Sequence, residues 1–180
     1  MGITALLIGA TILFAAPSAS APIPLDGLVA FDDAYRCEPS KDFDALLTGI
    51  IRWEELKKST PSNEIYKAVL ATPPVPAKFR KQFGAPKLSI QGDEHLATVP
   101  VIGTWQGVPL RSLVVVERAE SEGGFYLLFN APRERVHEAA NKAGFRIPSN
   151  GSEHRGGEVM GVSVGVDTIN GFGAIYCMVG

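Results

Sequence analysis

Val162-Ser163-Val164-Gly165-Val166, then Asn170-Gly171, then Ala174-Ile175-Tyr176-Cys177-Met178-Val179 is the stretch that decides the fold. From Val159 to Val166 the chain alternates. Met160, Val162, Val164 and Val166 fall on one face and Gly161, Ser163 and Gly165 on the other, the period-two pattern of a strand. Asn-Gly supplies the two positive-φ residues of a tight hairpin turn, so the chain must return antiparallel through 174–179. The small residues of the second face predict room for a helix lying close against the sheet.

Upstream, the same patterns recur. Lys87 to Gln91, Leu96 to Trp105, Leu110 to Glu117 and Phe125 to Phe129 read as strands, and Leu113-Val114-Val115-Val116 marks a central one. Between them lie the turn signals Gly92-Asp93-Glu94 and Gln106-Gly107 and a polar loop from Glu120 to Gly124. Pro132 opens a helix to about Ala143, closed by Gly144, with Val136, Ala139, Ala140 and Ala143 on one side. Phe145-Arg146-Ile147 follows, then a polar, Gly-rich loop from Ser149 to Gly157.

The N-terminal half reads as helical. Ser40 caps a helix predicted from Asp42 to Leu56, whose stripe Phe43, Leu46, Leu47, Ile50 and Ile51 must face a core. Thr60 and Pro61 start a second, ending at Leu70. The run Thr72-Pro73-Pro74-Val75-Pro76 is extended, and a short helix from Ala77 to Phe83 stops at Gly84. The expectation is an α+β fold. An antiparallel sheet carries helices packed on one face and is preceded by an N-terminal helical segment, the helical part at about 40–84 and the sheet-rich part at about 87–180.

Residues 1–21 set the expected compartment. Ile3 to Ala16 is apolar and uncharged and runs into Pro17-Ser18-Ala19-Ser20-Ala21, the small-residue pattern of a signal-peptide cleavage site. At about 1.5 Å per residue the apolar core spans roughly 20 Å, short of the ~30 Å that a spanning helix needs. Met1-Gly2 lacks the usual positive charge. The reading is a signal peptide at 1–21 and one exported domain at 22–180, beginning at Ala21 or Pro22, with no membrane span after leader removal.

Net charge is −2, with 46% hydrophobic and 20% charged residues, so the chain is globular in composition and has no global field for nucleic acid. Two cysteines, Cys37 and Cys177, in an exported chain predict a disulfide, and only one pairing exists. Closing a loop of about 140 residues constrains the denatured chain by up to about 5 kcal/mol. A redox pair would need both thiols in one local motif such as C-x-x-C, which is absent.

No catalytic, cofactor or metal set is legible. His95, His137 and His154 fall on a loop, a helix and a Gly-rich turn, without the spacing of metal ligands. Gly161-Val162-Ser163-Val164-Gly165 spells a G-x-S-x-G pattern. Its Ser lies inside an alternating strand rather than at a strand–turn–helix elbow. Trp53, Trp105, Phe125, Tyr126 and Phe129 read as core first and as a binding surface second. The expected function is an exported, non-enzymatic binding or interaction module of a bacterial-type periplasm or secreted fraction. It would contact a protein or small ligand through the exposed sheet face or its loops. The alternatives are an exported hydrolase assembled from distant residues, using His95 or His154, and an envelope structural or assembly factor.

Overall fold

The computed structural model describes residues 22–55, 66–70, 75–92, 94–118, 123–157 and 161–180. The expected leader at 1–21 lies outside them. The chain builds β1 (Phe31–Asp33), β2 (Glu38–Pro39), α1 (Lys41–Ile50), β3 (Ile51–Glu55) and β4 (Tyr66–Leu70). After a 3-10 turn at Ala77–Gln82 come β5 (Lys87–Gln91), β6 (Glu94–Trp105), β7 (Val108–Glu117) and β8 (Gly123–Phe129). Then follow α2 (Arg133–Lys142), β9 (Ser152–Gly156), β10 (Gly161–Ile169) and β11 (Phe172–Val179).

β5 to β11 form one seven-stranded antiparallel sheet in the order β5-β6-β7-β8-β11-β10-β9, and β1–β2 and β3–β4 are two-stranded ribbons. The hairpin turns as its sequence dictates. Ile169 pairs with Phe172 around Asn170 (φ 52°) and Gly171 (φ 82°). Its register sets rows of apolar residues across four strands. Val115, Phe125, Cys177 and Val164 make one row, and Leu113, Leu127, Ile175 and Val166 the next. All eight belong to the hydrophobic core, with the fully buried Trp105, Phe43, Phe129 and Phe145. Each such side chain contributes roughly 1.5–3 kcal/mol through burial.

The α+β expectation, a sheet with helices packed on one face behind an N-terminal helical segment, is overturned. Among the described residues the protein is mostly β, and helix is confined to two ten-residue segments and the 3-10 turn. α1 starts as predicted, with the Ser40 hydroxyl accepting from the Phe43 N–H at 3.4 Å and Phe43, Leu46 and Ile50 buried. It stops at Ile50 instead of Leu56. Gly49 weakens the last turn, and Ile51-Arg52-Trp53 suits a strand, which pairs Ile51 with Leu70 and Glu55 with Tyr66. The second predicted helix is therefore strand at 66–70, while 61–65 lie outside the described residues.

α2 spans almost its predicted range and buries Val136, Ala139 and Ala140. It meets the β10–β11 hairpin at Gly173, not at the small residues of β10. A β-carbon on Gly173 would lie 2.7 Å from Val136 Cγ2. The gap above Gly165 is filled by the ring of Tyr176 instead, whose Cζ would stand 2.6 Å from an added β-carbon. The face of the sheet turned from the core is apolar too, with Val114 and Val116 buried and Leu96, Tyr126, Leu128 and Met178 half-buried.

The N-terminal segment is tied to the sheet. Leu25 N–H donates to Thr104 O at 2.8 Å, Thr104 N–H to Ile23 O at 3.0 Å, and Trp105 Nε1–H to Val29 O at 2.8 Å. The predicted disulfide is present. Cys37 and Cys177 are bonded with Cα atoms 5.9 Å apart, joining the start of the helical region to the final strand. No helix among the described residues is long and apolar enough to cross a membrane.

Candidate functional site

A concavity lies where the β1–β2 hairpin overhangs the β9 edge of the sheet. β1 is held by Phe31, whose ring packs 4.8 Å from Phe145, 5.4 Å from Phe43 and 6.0 Å from Phe125. From that anchor the chain turns through 34–37. The Arg36 N–H donates to Asp33 Oδ1 at 3.1 Å, the Cys37 N–H to Ala34 O at 3.2 Å, and Cys37 takes φ 56°.

Beneath the turn sits Arg155, a buried arginine on the core side of an edge strand. Its Nε–H donates to Glu153 Oε2 at 2.8 Å, Nη1 to the Tyr35 carbonyl, and Nη2 to the Arg146 carbonyl at 3.2 Å. The guanidinium also lies 4.0 Å from the centre of the Tyr35 ring, and that of Arg146 lies 5.9 Å from it. A buried charge is costly unless paired and hydrogen-bonded, and here every branch of the fork has an acceptor. Arg155 thereby fixes three segments: the turn at Tyr35, the segment at Arg146 and its own strand.

The resulting cleft holds about 580 Å³. Tyr35, Val162 and Val179 form its apolar wall, and Tyr35 and Val179 are 40% and 52% exposed, available to a ligand rather than spent in the core. Its rim carries Arg36, Glu38, Glu153 and His154. Arg36 and Glu38 stand 3.6 Å apart and are both well exposed, a pair worth little, which leaves the guanidinium able to turn to an incoming anion.

The structure does not bring the three histidines together. His95 lies in β6, not in a loop, about 24 Å from β9 by strand spacing. His137 Nε2 is 3.0 Å from Ile147 O and 3.1 Å from Pro148 O, tying α2 to the segment that follows. His154 belongs to β9, a strand within the segment whose polar, Gly-rich sequence predicts a loop. Its Nδ1 hydrogen-bonds with the Ser163 hydroxyl, 3.2 Å away across the β9–β10 ladder.

The Ser163–His154 pair joins residues that sequence reading kept apart, yet it is not a nucleophile elbow. Ser163 lies mid-strand between two ladder partners, His154 and Met178. Glu153, next to His154, belongs to the opposite face and is held by Arg155. Among the described residues no group of three or more His, Cys, Asp or Glu side chains could hold a metal.

Of the aromatic candidates, Trp105, Phe125 and Phe129 are core. The side chain of Trp53 lies outside the described residues. Tyr126 stands 6.0 Å from Tyr176 on the other sheet face. Burial, with Glu94 adding to it, raises its phenol above the ordinary range. Tyr35, Arg146 and Arg155 were missed. The one sequence signal pointing there was the neighbourhood of Cys37, because a cysteine paired with the last strand must carry Tyr35 and Arg36 to the sheet. No family model, no curated protein and no solved structure matches the chain, so its similarities assign it to no family.

Proposed function

We propose that the chain is an exported, non-catalytic binding module that takes an apolar or aromatic group bearing a negative charge in the cleft under Tyr35. The observation carrying this reading is the combination of a preorganised Arg155–Tyr35 stack with the exposed apolar wall at Val179 and an exposed Arg36 held only by a surface pair with Glu38. Preorganisation matters because ordering a binding loop otherwise subtracts from affinity. Export is supported by the apolar leader at 1–21 and by a disulfide, a bond that persists in oxidising compartments.

The probe is 1-anilinonaphthalene-8-sulfonate, an aromatic sulfonate that matches wall and rim. Saturable binding is expected, weakened about tenfold by Val179→Asp and by Arg36→Glu, both surface changes. Absence of saturable binding, or binding indifferent to both substitutions, overturns the site. The hydrolase alternative makes a different forecast. Hydrolysis of an activated ester above the buffer rate, abolished by Ser163→Ala, would replace the binding reading. Amino-terminal sequencing of exported material should begin at Ala21 or Pro22, and an intact Met1 leader in a cytoplasmic fraction would remove the export reading.

A further inference from the structure

The wall of the cleft that carries Tyr35 and Arg36 has little support of its own. It is a turn between strands of three and two residues, far shorter than a ribbon that holds itself in water. Cys37 closes it in the left-handed region, which is disfavoured for any residue with a β-carbon. Beyond the Phe31 anchor of β1 and the Arg146 guanidinium 5.9 Å from the Tyr35 ring, two long-range attachments hold the turn. One is the Arg155 guanidinium under Tyr35, and the other is the bond from Cys37 to Cys177.

The two ends of that bond differ in what they need from it. Cys177 sits in β11, laddered to Val164 on one side and Phe125 on the other, so its strand is held without the sulfur. Cys37 has no ladder partner, because the register of β1 and β2 pairs Asp33 with Glu38 and leaves 34–37 as the loop. Loss of the bond therefore falls on the turn.

We infer that the Cys37–Cys177 disulfide is the latch of the cleft: the oxidised chain holds the Tyr35 wall over β9, and the reduced chain releases it while the seven-stranded sheet persists. A dithiol reductant would open the latch by exchange. The Cys37–Cys177 bond breaks, two electrons and two protons pass to its sulfurs as thiols, and the dithiol closes to its own disulfide. Both cysteines are buried, so exchange is slow and waits on transient local opening of the turn. The importance of the latch to a ligand rests on the binding reading, but its existence is measurable without one.

The test compares trypsin cleavage after Arg36 in the oxidised protein and in the double variant Cys37→Ser, Cys177→Ser, with fragments mapped by mass. The double variant should be cut at Arg36 at least about tenfold faster, because cleavage tracks the population of the opened turn. Its Trp105 fluorescence, read with Trp53 replaced by Phe in both proteins, should stay native, since that indole is held by Val29 in the core. Equal cleavage rates overturn the latch. Loss of the Trp105 signal overturns it as well, because the bond would then hold the whole fold. Failure of the sulfonate to bind the oxidised protein counts against the binding reading alone.

Discussion

The guanidinium of Arg155 lies 4.0 Å from the centre of the Tyr35 ring and donates to the carbonyl of the same residue, across 120 positions of sequence. A single side chain thus sets both the ring and the backbone of the residue that walls the cleft. Removing it leaves the Tyr35 and Arg146 carbonyls and the Glu153 carboxylate without their donor. Arg155→Ala should cost about 2–4 kcal/mol in urea denaturation. Arg155→Lys should recover only part of that, because an ammonium keeps the charge but loses the planar fork. A loss below about 0.5 kcal/mol for the alanine variant, the range of ordinary surface changes, would show that the clamp is idle.

Ala140 is fully buried on α2, whereas Glu138 is exposed on the same helix. Ala140→Leu should destabilise by about 1–3 kcal/mol through overpacking, while Glu138→Ala stays within about 0.5. Similar denaturation midpoints for the two variants would place the wrong side of α2 in the core.

Gly173 makes the contact between α2 and β11. An added β-carbon meets Val136 Cγ2 at 2.7 Å and Ala131 O at 3.1 Å. Gly173→Ala should cost about 1–3 kcal/mol, and Val136→Ala in the same chain should return part of it. A double-mutant cycle measures the coupling. Strict additivity would mean that the two residues do not press on each other.

Glu117, at the end of β7, has its carboxyl raised above the usual 4.5 by burial. The folded state then binds its proton more tightly than the unfolded one. Its contribution is favourable at low pH and is lost as pH rises from 4.5 through the raised folded value. Glu117→Gln should accordingly raise the thermal midpoint at pH 7 and leave it nearly unchanged at pH 3.5. A midpoint gain of equal size at both values would assign the effect to packing instead.

The sheet was legible because its signals are local. Asn170-Gly171 fixes a turn, and the alternation around Val164 fixes which side faces inward. The end of α1 was not, because Ile50 and Ile51 continue a helical stripe and begin a strand equally well, and only the pairing with Leu70 decides between them. β9 was hidden for another reason. Ser152 to Gly156 has no apolar alternation, since an edge strand can bury a single arginine in place of a hydrophobic row. The cleft lay beyond reach because neither the left-handed backbone at Cys37 and Arg146 nor a contact from Arg155 to Tyr35 leaves a periodic trace. The disulfide was the exception, as two cysteines admit one pairing.

The position of β11 in the middle of the sheet has a kinetic consequence. β8 cannot be completed by its sequence neighbour β9. It waits for 174–179, made more than forty residues later, which ladder onto 123–128. Pairings of large sequence separation form slowly, because loop closure must precede the contacts that reward it. Until β11 docks, β8 presents an open edge and the row of Phe125 and Leu127 stands half built, the state most prone to pairing with another chain. The interval between making β8 and docking β11 is thus the window in which misassembly competes with folding, and the Cys37–Cys177 bond, anchored in β11, opposes its reopening.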